Sequence, residues 1–401
     1  APNHADAWCL LGSLEHQTGA SESGLQRLAR AIELVPDFAG YHINLGNVLA
    51  ESDRLDEALR AYQRATELAP DSADVLNNIG AVQRAAGRIE DAYATYQRAL
   101  ALDPRHARVW NNLGLLYDAL GRLEEATHAH LKALEIAPDF GACAMQLGRT
   151  YFRLGKLDRA AEVFRQWSAR EPENPIPAHM YAACSGRDVP GRASDAYVEA
   201  EFDDFAASFE AVLNERLGYR APQLCADLLT ACLGPPSRAL DVLDAGCGTG
   251  LCGPLVAPWA RRLVGVDLSA GMLTRALGKG VYDDLVKSEL TTYLDEHPAA
   301  WDAIVCADTL CYFGDLSEVS RAAARSLRPG AALVFTVEAL ADDHADRAEI
   351  QPHGRYAHGR AHLERVLAEA ELEVRGLRRE VLRTEGGMPV SGWLVAAMRR
   401  T

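Results

Sequence analysis

The chain predicts a multidomain protein, an all-α solenoid of paired helices followed by an α/β domain built on a parallel sheet. Two observations carry that expectation. Prolines stand at Pro36, Pro70, Pro104, Pro138 and Pro172, each 34 residues after the last, and a fixed period of that length marks a stacked helix–turn–helix unit. From Arg238 the text changes to an apolar run, a glycine cluster and a second apolar run ending in an acid. That is the layout of a strand–loop–helix–strand unit. The 401 residues, 48% hydrophobic and 24% charged, are a globular composition long enough for two or three domains.

The other repeat positions keep step with the prolines. Leu11-Gly12, Leu45-Gly46, Ile79-Gly80, Leu113-Gly114 and Leu147-Gly148 recur at the same spacing, as do Ala58, Ala92, Ala126 and Ala160, and Tyr62, Tyr96 and Phe164. Small residues suit places where two helices cross closely, large ones fill the holes between units, and proline ends the second helix of each pair. These residues resemble the tetratricopeptide repeat, five units over about 3–172. The first unit departs most from the pattern, with Glu15 and Gly24 where apolar and Ala residues are usual, as suits an end repeat or a truncated array.

Asn44, Asn78 and Asn112 share one register, with Gln146 following. Asn is a mediocre helix former, so three at one position ask for a reason. Here the chain resembles the repeat array of the nucleocytoplasmic protein O-GlcNAc transferases, whose Asn ladder grips peptides. By that resemblance the three are substrate-binding, and a protein or peptide is the partner. The alternative is that the amides bond neighbouring helices.

Glu171–Pro177 breaks the helical pattern, Ala178–Cys184 reads as one capping helix, and Ser185–Gly191 is a turn-rich linker. The expected domains are therefore repeats over 1–185, a linker over 186–195 and an α/β domain over 196–401. Phe202, Phe205 and Phe209 fall at roughly helical spacing ahead of the first strand, either as core or as a lid over a ligand.

Ala239–Asp244 is β-prone and runs into Ala245-Gly246-Cys247-Gly248-Thr249-Gly250, then an irregular helix over Leu251–Trp259 and a strand over Arg262–Val266 closed by Asp267. The 23 residues from Asp244 to Asp267 are close to the roughly 20 between a glycine loop and a ribose-binding acid. The loop lacks a phosphate-binding Gly-Lys-Ser/Thr and reads Gly-x-Gly-x-Gly, so a nucleoside without phosphate fits better than a dinucleotide. These segments, with Gly265–Met272, resemble class I S-adenosylmethionine-dependent methyltransferases, of Rossmann-like fold. The resemblance implies that Asp244, Gly246, Gly248 and Gly250 shape the loop around the methionine moiety, and that Asp267 binds the ribose. It also implies that Leu268 and Met272 flank the adenine, with Glu289 and Leu290 near the adenine amine.

Asp308 and Tyr312, at the carboxyl end of the fourth expected strand, are the candidates to orient the acceptor, although helix capping and core packing compete for them. The His353–His362 segment offers His358 as a base and Arg355 and Tyr356 as substrate-binding groups; a solvated loop is the alternative. No Asn/Asp-Pro-Pro-Tyr/Phe motif is present, which argues against exocyclic amine targets.

The bounds on function are broad. Net charge is −15 and both halves are acidic, which disfavours nucleic acid. No apolar window is long enough to span a membrane. Nine Cys, an odd number with no Cys-x-x-Cys, suggest reduced thiols, a cytoplasmic setting and no metal site. The reading favoured on sequence alone is a methyltransferase acting on a protein or peptide held by the repeat groove. The alternative is a small-molecule methyltransferase whose repeats serve only for protein–protein assembly.

Overall fold

The computed structural model describes residues 4–206, 209–211, 218–341, 344–385 and 387–401. Contacts divide the chain into two compact units between Val163 and Phe164.

The first unit is a stack of helix pairs. Thirteen-residue helices (Ala5–Gln17, Ala39–Glu51, Ala73–Ala85, Ala107–Ala119, Gly141–Arg153) alternate with fourteen-residue ones (Ser21–Leu34, Leu55–Leu68, Ile89–Leu102, Leu123–Ile136), and a further fourteen-residue helix, Leu157–Arg170, spans the division. The period has a packing cause. A Cβ on Gly46 would lie 2.5 Å from Tyr62, one on Gly80 2.4 Å from Tyr96, and one on Gly114 2.5 Å from His130. Each glycine thus admits a ring from the second helix of its own pair. His130 stands where Tyr62 and Tyr96 stand, fully buried, with its ring nitrogens on Asn111 (3.1 Å) and Asp118 (3.2 Å). The turns inside the pairs need left-handed backbone. Gly87 and Gly121 supply it, and at the same register Asp53 adopts φ 59°, a conformation that Asp tolerates better than most residues.

In the second unit a sheet is formed by β1 (Leu240–Ala245), β2 (Ala260–Asp267), β3 (Asp284–Lys287), β4 (Trp301–Cys306), β5 (Leu327–Ala339), β6 (Ala348–Ile350), β7 (Tyr356–His358), β8 (Leu372–Glu385) and β9 (Met388–Arg399). The main run is β3-β2-β1-β4-β5-β9-β8, parallel as far as β5, with β9 antiparallel to β5 and β8 antiparallel to β9. The β6–β7 hairpin extends the end of β5. Val242 faces one core with Leu263 and Leu229, while Leu243 faces another with Val264, Trp301 and Phe335. Burial on both faces explains why β1 carries the apolar neighbours Val242 and Leu243 side by side, one for each core.

Two sequence expectations shift. The helix expected over Leu251–Trp259 shrinks to Gly253–Val256: Pro254 fits only its first turn, which bars an earlier start, and Pro258 stands just past its end. The helix Pro175–Ser185, expected to end the repeats, makes its contacts in the second unit: His179 bonds the Gly354 carbonyl at 2.8 Å and stacks on Tyr197 at 3.8 Å.

Candidate active site

The order of strands reverses between β1 and β4, and open α/β sheets place ligands at the carboxyl ends of the strands flanking such a point. A pocket lies there. The glycine loop after β1 supplies Gly246 and Gly248, the end of β2 supplies Asp267 and Leu268, and the end of β4 supplies Ala307 to Thr309. Met272, Ser288, Glu289 and Leu290 complete one wall. Phe202, Phe209, Tyr219, Tyr312 and Phe313 make a strongly aromatic one. The side chain of Phe205 lies outside the described residues.

The loop is held in place by carboxylates. Gly246, Gly248 and Gly250 all have positive φ (71°, 54° and 83°), a region open to glycine at little cost. The Gly248 N–H donates to Asp267 Oδ2 at 2.9 Å, and the Ser269 N–H donates to Asp267 Oδ1 at 2.9 Å. Burial nonetheless raises the Asp267 carboxyl, because those bonds only partly offset desolvation. Below the loop, Asp244 accepts from the Tyr282 hydroxyl at 2.6 Å. Burial pushes its carboxyl up to about 7, with the neighbouring Asp267 charge adding to the effect.

The groups present fit a nucleoside. A Cβ on Gly248 would meet only open space, so main chain is bare where it lines the pocket. Each oxygen of Asp267 accepts one of the bonds above and has a second lone pair for a sugar hydroxyl. Leu268, Met272 and Leu290 give an apolar slot beside it.

Comparison with known proteins agrees with this architecture. A family model described as a methyltransferase domain matches residues 217–375, and tetratricopeptide-repeat models match 37–105, 71–139 and 142–176. The chain joins tetratricopeptide repeats to a methyltransferase domain. A ubiquinone biosynthesis O-methyltransferase from Pseudoalteromonas translucida is 31% identical over 100 residues, 24% of this chain and 42% of that protein. Human methyltransferase-like protein 27 is 52% identical over 69 residues, 17% of this chain and 28% of that protein. The chain thus spans less than half the length of these curated relatives. Among solved structures, a thermophilic tetratricopeptide protein of Thermus thermophilus is 19% identical over 45% of this chain and 99% of its own, with TM-score 0.40.

The methyltransferase domain brings Gly246, Gly248, Asp267, Leu268, Met272, Glu289, Leu290, Asp308 and Tyr312 to one pocket. Glu289 is committed locally as well: its oxygens cap the helix Leu290–Glu296 through the N–H groups of Thr291 and Thr292 at 3.0 and 2.8 Å. Asp308 is engaged differently. Its backbone takes φ 56°, its N–H donates to Thr336 Oγ1 at 2.9 Å, and its carboxylate accepts from Thr336 and from Arg383 Nη1 at 3.1 and 2.7 Å.

Other expected residues are placed elsewhere. His358 is fully buried, and its ring donates to the Phe313 carbonyl at 2.9 Å. Burial first and His362 second push its imidazole down to about 3. It is a packing residue, not a base, because β7 turns it into the core. Arg355 is held by Glu338 and Glu385, both at 2.6 Å, and the Tyr356 hydroxyl donates to the Pro190 carbonyl at 2.6 Å; neither lines the pocket.

In the repeats, the Asn44 amide donates to Cys9 Sγ at 3.0 Å, Asn78 to Asn47 Oδ1 at 3.2 Å and Asn112 to Asn77 Oδ1 at 2.8 Å. The three amides tie neighbouring repeats together.

Several site residues went unread in the sequence. Thr309 packs its hydroxyl 3.2 Å from the Ala245 and Gly246 carbonyls, and a Cβ on Gly246 would strike it at 2.1 Å. Asp203 accepts from the Ser269 hydroxyl and, at 3.2 Å, from the Gly271 N–H, fastening the helix Asp195–Phe205 beside the pocket. The only sequence trace of these contacts is residue type, a Thr directly after Asp308 and acids on an otherwise aromatic helix.

Proposed function

We propose that the second unit is an S-adenosylmethionine-dependent methyltransferase. The observation that carries this is Asp267 at the end of β2, bonded to Gly248 and facing an open glycine loop at the reversal point of the sheet. When bound, the cofactor supplies a sulfonium methyl group for in-line displacement. Asp267 accepts the ribose hydroxyls, the loop glycines let main chain approach the methionine moiety, and Leu268 and Met272 flank the adenine. Asp308 and Tyr312 border the space for the acceptor, and the aromatic wall keeps water from it.

The acceptor that fits best is a small molecule with an apolar or aromatic body, methylated on oxygen. The five rings at the pocket favour it, as does the activity named for the ubiquinone-pathway relative. The engagement of the three Asn amides between repeats weakens the case for a peptide gripped by them. The repeats then serve to recruit a protein partner. A protein or peptide acceptor in the repeat groove is the second reading, supported by the repeats themselves, since solenoids present extended binding surfaces.

Incubating the full chain and cell extract with a radiolabelled methyl donor separates the two acceptors. Label in the small-molecule fraction supports the first reading, and label in protein that is lost on changing Asn44, Asn78 and Asn112 to Ala supports the second. Asp267→Ala tests the site itself. Its affinity for the cofactor should fall by about 1.5–3 kcal/mol, the range for hydrogen bonds to a charged group. Calorimetry showing unchanged affinity would remove Asp267 from the ribose.

A further inference from the structure

Behind Asp308 lies a buried cluster of charge that the pocket lining does not reveal. Arg383, 3% exposed, places Nη1 on Asp308 at 2.7 Å, Nε on Glu385 at 2.7 Å and Nη2 on Glu338. Glu338, 4% exposed, also receives Arg355 at 2.6 Å and His353 at 3.2 Å. Three carboxylates therefore share one guanidinium. Taking several ions out of water is costly, and a well-packed apolar cluster of similar volume is often no less stable.

The fold makes a special arrangement to put Arg383 there. Along a strand, successive side chains alternate between faces, yet Leu382 and Arg383 are both buried, at 0% and 3% exposure. The pairing of β8 with β9 slips at this point, passing from Val381↔Ser391 to Arg383↔Val390. Such a bulge re-aims a side chain. Leu382 fits into the core because its partner strand carries Gly392, where a Cβ would lie 2.2 Å from the Leu382 side chain. The beneficiary is Asp308, a non-glycine residue in left-handed backbone at the pocket, a conformation that costs more than the common regions even for Asp. Arg383 fixes the carboxylate from one side, and Thr336 fixes both the carboxylate and the N–H from the other.

We propose that Arg383 is a positioning residue for methyl transfer, holding Asp308 at the acceptor side of the pocket through the bulge at Leu382. This rests on the methyltransferase reading above. The charge pattern agrees. Burial would raise the Glu338 carboxyl, but the His353 hydrogen bond and the charges of Arg355, His353 and Arg383 hold it well below the usual carboxylate range. Burial would likewise raise the Glu385 carboxyl, but mainly the charges of Arg355 and Arg383 hold it below the usual range, and a lysine, a point charge without the planar fork, cannot satisfy three carboxylates in this geometry.

The test compares Arg383→Lys and Thr336→Val with the wild-type chain in three measurements: donor affinity by calorimetry, kcat and KM for the acceptor, and a crystal structure of each variant. Arg383→Lys should lose tenfold to a hundredfold in kcat with donor affinity within threefold of wild type, and Asp308 should leave the left-handed region. Thr336→Val, which keeps side-chain shape, should lose severalfold in the same pattern. If Arg383→Lys does not fold, the Thr336→Val result decides. Unchanged kcat in a folded variant, or equal losses in donor affinity and kcat, overturns the proposal. A wild-type chain that binds no donor instead overturns the methyltransferase reading. In that case Asp308 keeping its conformation in the variant crystals overturns the positioning role, and Asp308 moving sustains it.

Discussion

The two units of this chain differ in where they bury carboxylates. In the repeats, ion pairs recur three residues apart on helix surfaces, as in Arg54–Glu57, Arg64–Glu67, Arg122–Glu125 and Lys132–Glu135, with every partner at least 38% exposed. Such pairs contribute between nothing and about 1 kcal/mol each. In the methyltransferase domain, carboxylates are buried at the carboxyl ends of the strands: Asp244 under the glycine loop, Asp267 beside it, and Asp308 with Glu338 around Arg383. The repeats obtain their order from interlocking small and large residues, which any number of units can repeat. The domain places desolvated charge where it fixes one loop in one conformation, and these are the loops of the pocket.

The largest effect that would test this contrast is a pH dependence. The Asp244 carboxyl is raised in the folded state to about 7 from an ordinary 3.8. A raised folded value means the protonated form is favoured on folding, so this contribution is fully present below about pH 4 and is lost as pH rises through 7. At 1.36 kcal/mol per unit, the window is worth at most about 4 kcal/mol. Asp244→Asn removes the titration while keeping an acceptor for Tyr282. Relative to that variant, the wild type should be markedly less stable at pH 8 than at pH 5 in urea unfolding. A difference that is flat across that range contradicts the assignment. The exposed pairs of the repeats should show no comparable dependence.

Next in size is a pair of glycine substitutions that act by different means. Gly246 has positive φ, and its Cβ would lie 2.1 Å from the Thr309 hydroxyl, so Gly246→Ala carries both backbone strain and a clash. A cost of about 2–4 kcal/mol is expected, seen as lost donor affinity in calorimetry with the helical melt of the repeats unchanged. Gly80→Ala has no backbone penalty, only a Cβ 2.4 Å from the buried Tyr96 ring. Overpacking of this kind costs about 1–3 kcal/mol. It should lower the melting temperature of the repeats and leave donor affinity alone. Each substitution failing in the other's unit would erase the distinction.

The same contrast explains what could be read from the amino-acid sequence. Pro36 to Pro172 and the glycines opposite Tyr62 and Tyr96 act within one repeat, so their cause and their pattern share a 34-residue frame. The loop Gly246–Gly250 and Asp267 were legible for a similar reason, because one strand–loop–helix–strand unit contains both. Arg383 was not, since its partner Asp308 lies 75 residues away and the bulge that turns it inward leaves no mark in the alternation of β8. Tyr282, 38 residues from Asp244, is hidden in the same way. His358 misled because an imidazole in a His- and Arg-rich segment looks solvated, whereas the β6–β7 hairpin buries it.

The smallest expected effect concerns the Asn register, where the two units meet the same question: does a polar side chain hold the fold or a ligand? Asn78 donates to Asn47 Oδ1 at 3.2 Å, and that oxygen also accepts from the Tyr62 hydroxyl at 2.7 Å. Deleting the Asn78 amide therefore leaves Asn47 with a partner, and the site is only partly buried, so Asn78→Ala should cost about 1 kcal/mol of repeat stability. Asn112→Ala should cost more, about 1–2 kcal/mol. Its acceptor Asn77 is 5% exposed and loses the 2.8 Å bond, which leaves a buried carbonyl short of its donor. A ladder that served only to bind peptide would show the opposite pattern, with both variants as stable as wild type and equally impaired in holding a protein partner. Urea melts of the two single variants decide between them. Unequal losses, larger for Asn112, assign these amides to the joints between repeats.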